Sequence, residues 1–226
     1  PNGEMALFTS LLYLPWTLKP LWSPLVDIFR TKRWWIVMMQ ALVSAAFVLL
    51  ALTLPSPETS TQVHMSLFTF TLLLFVFAAF ASATHDIAAD GFYMIALDSG
   101  QQSFFVGIRS TFYRLSSIFG QGVLVVVAGV LEEKTGNIPL AWSLTIGLTA
   151  VIFSILTIYH SFVLPRPAGD SAVSTDGSGS AGEFTKAFAS FFRKPGVWIA
   201  IIFMLLYRLP EAFLLKMVNP FLLSPA

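Results

Sequence analysis

The chain of 226 residues is 56% hydrophobic and 15% aromatic, and only 11% of its residues are charged. A soluble domain carries about 25% charged residues, so this composition excludes an ordinary soluble protein. The formal net charge of +1 provides no basic field that would attract nucleic acid. Because the sequence has no cysteine, disulfides, thiolate catalysis and Cys-ligated metals are excluded as well.

Six apolar stretches each reach the roughly 20 residues that a helix needs to cross a hydrocarbon core of about 30 Å. They are continuously apolar, unlike membrane strands, which alternate apolar and polar residues. In chain order they are residues 7–26, 34–54, 66–97, 104–131, 140–164 and 197–215 or beyond. The sequence therefore predicts an all-α integral membrane protein with about six transmembrane helices.

The basic residues indicate the orientation of these spans. Alternate connections and helix starts carry Arg30, Lys32, Arg33, Arg109, Arg114, Arg166, Lys186, Arg193 and Lys194. The connections on the other side carry either no basic residue, over 55–65, or Lys134 beside two glutamates. By the positive-inside rule we expect the basic set to face the cytoplasm.

Residues 165–183 are rich in Gly, Ser, Ala and Pro, which is typical of a flexible linker. Many transporters join two six-helix halves by such a cytoplasmic loop. The chain starts at Pro1 without a signal peptide and ends in an apolar stretch, so we expect an internal fragment of a longer protein. If one span is missing upstream, the linker falls between the sixth and seventh helices of a twelve-helix protein. On this count we predict transmembrane helices 2–6 over 1–164, a linker over 165–196 and transmembrane helix 7 over 197–226.

A short amphipathic segment follows the glycine-rich part of the linker. It combines four phenylalanines with three basic residues, namely Phe184, Phe188, Phe191, Phe192, Lys186, Arg193 and Lys194. Such a segment is typical of a helix at the membrane interface. A solvated or packed connector is the alternative.

The first stretch contains Lys19 among three prolines, Pro15, Pro20 and Pro24. Each proline removes a backbone donor and kinks a helix, which membranes tolerate where the helix lines a cavity or meets a neighbour. Trp16 and Trp22 lie three residues on either side of Lys19. This pattern indicates a cationic site, flanked by aromatic rings, for an anionic or sugar-bearing solute. Alternatively, Lys19 snorkels to an interface or neutralises a carboxylate on another helix.

The third stretch ends with Asp86, Asp90 and Tyr93 along one face and His85 beside them. Two carboxylates one helical turn apart repel each other when both are ionised, unless a cation lies between them. A proton on one of them relieves this repulsion, so either aspartate is a candidate proton carrier. The alternative is a structural charge network near the cytoplasmic face. In the fourth stretch, Arg114 and Gln121 belong to a polar stripe, and we predict that Arg114 pairs with Asp86 or Asp90.

The last stretch contains Arg208 and Glu211, which are three residues apart and either neutralise each other or contribute to a substrate site. No nucleophile elbow, phosphate-binding glycine loop or HExxH motif is present, so the sequence does not indicate an enzyme or a cofactor. The three histidines show no metal-ligand spacing.

Four segments resemble the AmpG-type muropeptide permeases of the peptide/acetyl-coenzyme A transporter branch of the major facilitator superfamily. They read LPWTLKPLWSPLVD followed by TKRWW, ATHDIAADGFYMIALD, YRLSSIFGQG and YRLPEAFLLKMVNPFL. The resemblance implies twelve helices in two halves, of which this chain covers about helices 2 to 7. It also implies alternating access and proton-coupled uptake of anhydromuropeptides across the bacterial inner membrane, for peptidoglycan recycling.

The resemblance also implies roles for individual residues. Lys19 and Asp27 match the family's second helix, Asp86 and Asp90 its fourth, and Tyr113 with Arg114 its fifth. Asp27, Arg30, Lys32 and Arg33 stand where the superfamily has its cytoplasmic gating motif, although the typical glycine of that loop is missing. The predicted substrate-binding residues are Trp16, Lys19, Trp22, Tyr93, Arg114, Gln121, Arg208 and Glu211, and the predicted proton-coupling residues are His85, Asp86 and Asp90.

The leading hypothesis is a proton-coupled transporter whose partners are the lipid bilayer, protons, an anionic sugar-peptide and the missing remainder of its own chain. A carrier for another bulky anion, such as an acyl-coenzyme A, is an alternative within the same class. A membrane sensor or scaffold that does not transport is the alternative from another class.

Overall fold

A computed structural model of the chain describes residues 12–55, 61–171, 180–203 and 206–207. The chain divides into two units, Pro1–Ser174 and Thr175–Ala226. The helices of the first unit are α1 (Ser23–Ile28), α2 (Lys32–Thr53), α3 (Thr61–Ala96), α4 (Ser99–Ile118), α5 (Leu124–Thr135) and α6 (Ile138–Val163). The second unit contains α7 (Ser180–Arg193) and a helical segment over 197–203.

Four helical segments within the described ranges are long and apolar enough to cross a membrane: Lys32–Thr53, Met65–Ala96, Ser99–Thr135 and Ile138–Val163. They correspond to the second, third, fourth and fifth predicted stretches. The third of these segments contains both α4 and α5, which are joined by a π-helical turn over Phe119–Val123. The sequence-based prediction of these four spans is confirmed.

The first predicted stretch is not one continuous helix in its described part. Residues 12–18 are helical, a 3-10 turn follows at Lys19–Leu21, and α1 begins only at Ser23. Pro20 and Pro24 are the second residues of the 3-10 turn and of α1, where a missing N–H breaks no intrahelical hydrogen bond. The prolines therefore divide this stretch into three short pieces. Most of the sixth predicted stretch, from residue 208 onward, lies outside the described residues.

Polar residues between the apolar blocks start and stop the helices. The Thr31 hydroxyl accepts a hydrogen bond from the Trp34 amide (3.1 Å) at the start of α2. Asp98 begins α4 with a capping box, in which its carboxylate and the Gln101 side chain bond reciprocally to each other's backbone. Gly136 ends α5 with a φ of 63°, a left-handed conformation that favours glycine.

Helix α2 packs against α3 on one side and α6 on the other, and α5 packs against α6. Ser44 and Ser154 join α2 to α6 through a hydrogen bond of 2.6 Å between their hydroxyls. The rings of Phe47 and Phe153 meet at the same interface, with centroids 5.4 Å apart. On α3, small residues including the buried Ala81 face α2, which allows the backbones to approach closely.

Helix α4 differs from its neighbours because none of its residues is buried. It is joined to α3 through the short connection at Leu97 and Asp98, and long polar side chains make the contacts between the two helices. The space that these side chains bridge contains the candidate site.

Candidate functional site

One charge network joins the proline-rich segment, α3 and α4. It consists of one lysine, one arginine and two aspartates. Lys19 makes an ion pair with one oxygen of Asp86. Arg109 Nη2 lies 3.7 Å from the other oxygen of Asp86 and makes an ion pair with Asp90. The two positive and two negative charges balance, and Asp86 is the carboxylate that both cations contact.

The network contains the two aspartates that the sequence singled out. A cation lies between them, as predicted, but this cation is Arg109. The prediction that Arg114 provides this counter-ion is wrong: Arg114 is exposed and makes no ion pair with any described residue. The reason is the depth of each residue in the hairpin. Asp86 lies ten residues before the end of α3 at Ala96, and Arg109 lies ten residues after the start of α4 at Ser99. Both are therefore about 15 Å from the connection.

An aromatic ring supports Arg109 from the α3 side, and polar contacts join the two helices near it. Its guanidinium carbon lies 5.9 Å from the centre of the Tyr93 ring, in cation–π contact. The Tyr93 hydroxyl donates a hydrogen bond to the carbonyl of Gln102 on α4. The Gln102 amide donates in turn to the Leu97 carbonyl (2.9 Å), so the hairpin is crossed by polar contacts at several levels.

A cavity of about 590 Å³ opens beside this network, between α2, α3, α4 and the end of α6. Most of its wall is apolar, and its polar lining comes from His85, Asp86, Tyr93, Arg109 and His160. Few polar groups in an otherwise apolar wall are typical of a small-molecule site. Within the described residues, no group of three or more His, Asp or Glu side chains is arranged to hold a metal ion.

Two histidines face this cavity from opposite helices. His85, predicted as a proton-coupling residue, has a buried Nε2 that makes no hydrogen bond with the part of the chain that the structure describes. His160 on α6 bonds through Nδ1 to the Gln40 side chain of α2, at 3.0 Å. His160 is not among the site residues predicted from the sequence, although a polar residue near the end of an apolar stretch is a signal that can identify a site residue.

The two tryptophans that flank Lys19 in sequence do not line the cavity. Trp22 donates from Nε1 to the Thr84 hydroxyl (3.2 Å), and its ring lies 5.4 Å from Phe80. Trp16 lies 6.4 Å from the Tyr13 ring. The prediction of aromatic rings on both sides of a Lys19 binding site differs from this geometry, because the 3-10 turn changes the helical register between them.

Two further predicted positions lie away from the network. Arg114 and Gln121 are both exposed, Arg114 on α4 and Gln121 in the π-helical turn that follows. Arg208 and Glu211 lie outside the described residues.

The residues of the predicted gating motif form a second charged cluster at the basic end of the bundle. The buried Lys32 pairs with Asp27 and also donates to the carbonyl of Val26 (2.9 Å). Arg30 adopts a φ of 63°, at the loop where the sequence lacks the superfamily's glycine. Its guanidinium lies 5.8 Å from the Trp34 ring.

Asp170, in the connection after α6, makes hydrogen bonds to this cluster. The Asp170 carboxylate accepts from the backbone amides of Lys32 (2.6 Å) and Arg33 (3.0 Å), which are the first two residues of α2. The Arg33 side chain donates back to the carbonyls of Ser161 and Leu164 (3.1 Å to the latter) at the end of α6. Asp170 falls in the segment predicted to be a flexible linker. The sequence predicts no partner for it, because its contact is with a helix start 138 residues away.

The match to a family model decides the classification. The BT1 family model matches residues 2–212 of this chain. The chain belongs to the BT1 family. It is therefore an all-α integral membrane protein of the major facilitator superfamily, and the chain contains part of that fold. The resemblance to this branch of the superfamily that the sequence motifs indicated is confirmed.

Two relatives from Rickettsia carry the name "Putative transporter AmpG 4". The chain is 29% identical to the one from Rickettsia conorii over 231 aligned residues, and 28% identical to the one from Rickettsia felis over 233. Each alignment covers 96% of this chain and 51% of the relative. The chain thus spans about half the length of the curated relatives it matches. No solved structure matches the chain significantly.

Proposed function

We propose that the protein carrying this chain is a proton-coupled transporter that takes up anhydromuropeptides through the bacterial inner membrane. The family and the transporter-named relatives support a membrane transporter of this type. The AmpG-like motifs support the substrate, and the balanced charge network of Lys19, Asp86, Arg109 and Asp90 supports the coupling. The observation that most directly supports the coupling is that Asp86 contacts both cations of this network.

Coupling follows from the charge balance. With both aspartates ionised, the network is neutral, and a charged group at membrane depth is stable only when it is paired. Protonation of Asp86 removes the partner of Lys19 and one partner of Arg109. The network then has an excess positive charge beside the cavity, and an anionic solute restores the balance.

The binding of a proton and of an anion is therefore mutually favourable. By thermodynamic linkage, the anion raises the affinity for the proton by the same factor by which the proton raises the affinity for the anion. Such reciprocal binding favours occupation of the site by the proton and the anion together, as symport needs. In this proposal Asp86 carries the proton, Arg109 and Lys19 bind the anionic group, and the apolar wall and Tyr93 contact the rest of the solute. The opposing wall of the transport pathway belongs to the remainder of the protein.

The test is uptake of labelled anhydromuropeptide by the full-length protein in proteoliposomes, with and without an imposed pH gradient. We expect gradient-stimulated uptake that Asp86→Asn abolishes. Asp98→Asn is the matched control, because Asp98 is exposed, caps α4 and lies outside the network. Uptake that keeps its response to the gradient in Asp86→Asn would contradict the coupling role.

Acetyl-coenzyme A in the same assay tests the alternative substrate class. Uptake of acetyl-coenzyme A without uptake of the muropeptide would leave a carrier for another bulky anion. Failure of the folded protein to take up either solute would favour a sensor or scaffold.

A further inference from the structure

The second unit contains an amphipathic helix whose two faces differ sharply in chemistry. Helix α7 spans Ser180–Arg193. At 3.6 residues per turn, its four phenylalanines fall within an arc of about 100°, whereas Lys186 and Arg193 fall on the opposite side. The basic face is exposed at Lys186 and Arg193.

The charge on this helix has one dominant sign. Over residues 180–194 it carries Lys186, Arg193 and Lys194 against the single acidic residue Glu183. An aromatic face opposite a basic face is the pattern of helices that lie in the membrane interface, where each basic residue is attracted to anionic lipid. The excess of positive charge therefore favours an anionic surface over a neutral one.

A sharp corner after α7 turns the chain toward the last apolar stretch. Helix α7 ends at Arg193, and Gly196 adopts a left-handed φ of 82°. The Val197 amide then bonds to the Lys194 carbonyl (3.3 Å), and a new helical segment begins. Such a turn permits α7 and the segment that follows it to run in different directions.

Aromatic rings continue around this corner. The rings of Phe192 on α7 and Trp198 on the new segment have centroids 5.4 Å apart. Trp198 is 60% exposed, although it opens an apolar stretch. Exposed tryptophan next to an apolar segment is typical of the interfacial belt, where an amphipathic ring lies at the level of the headgroups.

We propose that α7 is a lipid-binding helix that lies in the surface of the bilayer, with its phenylalanine face in the acyl boundary and its basic residues attracted to anionic phospholipid headgroups. This interaction surface uses none of the residues of the proposed transport site and does not depend on the proposed substrate. It anchors the segment between α6 and the last apolar stretch to the membrane.

Cysteine labelling tests the orientation, since the sequence contains no cysteine of its own. Phe188→Cys and Ser190→Cys place an environment-sensitive fluorophore on opposite faces of the helix, about 160° apart, in the full chain reconstituted with phosphatidylethanolamine and phosphatidylglycerol. We expect nitroxide-labelled lipid to quench the probe at 188 and aqueous iodide to quench the probe at 190. Iodide quenching at both positions, or protection of 188 from both quenchers, would overturn the proposal in favour of a solvated or a protein-packed helix.

The lipid charge is tested with the probe at 188 and vesicles that lack or contain phosphatidylglycerol. We expect the anionic lipid to increase the nitroxide quenching. Lys186→Gln should reduce the ratio of membrane-bound to unbound α7 about fivefold, which is the effect of one surface cation. Lys134→Gln, which changes the net charge equally outside α7, is the matched control and should have no effect. A response that is independent of phosphatidylglycerol, or equal in the two variants, would refute an anionic lipid partner.

Discussion

Arg109 of α4 forms an ion pair with Asp90 of α3, across a hairpin whose connection is only two residues long. This contact, together with the one to Asp86, attaches a helix that buries none of its residues. The pair is about half exposed on both sides, so its contribution to stability is small even though its position is well defined.

The first prediction separates the two arginines of α4. Arg109→Gln should lower the free energy of unfolding by about 1 kcal/mol, the upper range for a partly exposed pair. Arg114→Gln should leave it unchanged, because Arg114 is exposed and has no ion pair with the described residues. Thermal unfolding in detergent measures both.

The exchange of the two charges gives a control for this pairing. The double variant Arg109→Asp with Asp90→Arg should recover part of the stability that either single charge reversal loses. Equal destabilisation by the Arg109 and Arg114 variants would contradict the assignment.

The second prediction concerns the hydrogen bonds between Asp170 of the linker and the start of α2. All four initial amides of this helix have acceptors: Asp170 for the first two, the Thr31 hydroxyl for the third and the Thr31 carbonyl for the fourth. Asp170→Ala should cost about 1 kcal/mol, as the loss of a capping carboxylate does. Hydrogen exchange should become faster at the amides of Lys32 and Arg33.

The capping residue of α4 provides the comparison. Asp98→Ala should accelerate exchange at Gln101, whose amide it binds at 2.8 Å, and leave Lys32 unaffected. If Asp170→Ala leaves the exchange at Lys32 unchanged, the contact does not form in the membrane.

The third prediction uses the left-handed backbone of Arg30. A residue with a Cβ costs about 1 kcal/mol in this conformation relative to glycine. Arg30→Ala and Arg30→Gly both lose the contact with the Trp34 ring, but only the glycine relieves the backbone. The glycine variant should therefore unfold at a higher temperature than the alanine variant. Equal stability of the two would show that the loop adopts another conformation.

The fourth prediction compares two helical glycines. A Cβ at Gly91 would lie 3.0 Å from Cε of Lys32, whereas a Cβ at Gly129 would meet no atom within 4 Å. Gly129→Ala should stabilise the protein by up to about 1 kcal/mol through helix propensity. Gly91→Ala should gain less or lose stability, because it pushes Lys32 away from Asp27. A larger gain at 91 than at 129, measured by thermal unfolding, would contradict the packing of Lys32.

The sequence predicted the four spans because membrane crossing depends on length and continuous apolar character, both of which are local. It also identified Asp86 and Asp90, since charges within such stretches are expensive without partners. The alternative interpretation of Lys19, that it neutralises a carboxylate on another helix, describes the contact that the structure contains.

Which arginine pairs with Asp86 and Asp90 depends on its distance from the connection between α3 and α4, and not on residue type. Arg109 and Arg114 are chemically identical, and only the position of the connection at Asp98 brings Arg109 level with the aspartates. Counting residues from both sides of that connection would have selected it. The contact of Asp170 with α2 had no comparable signal, because a carboxylate in a polar, glycine-rich segment looks the same whether or not it binds.

The π-helical turn between α4 and α5 gives one membrane crossing two separate orientations. Its wider winding adds a residue and rotates all later side chains by about 100° relative to an unbroken α-helix. The portion with Arg109 contacts α3, and the portion after Val123 packs against α6. A single span therefore presents differently oriented faces to two neighbours: α4 meets α3 through polar side chains without burying a residue, whereas α5 packs directly against α6.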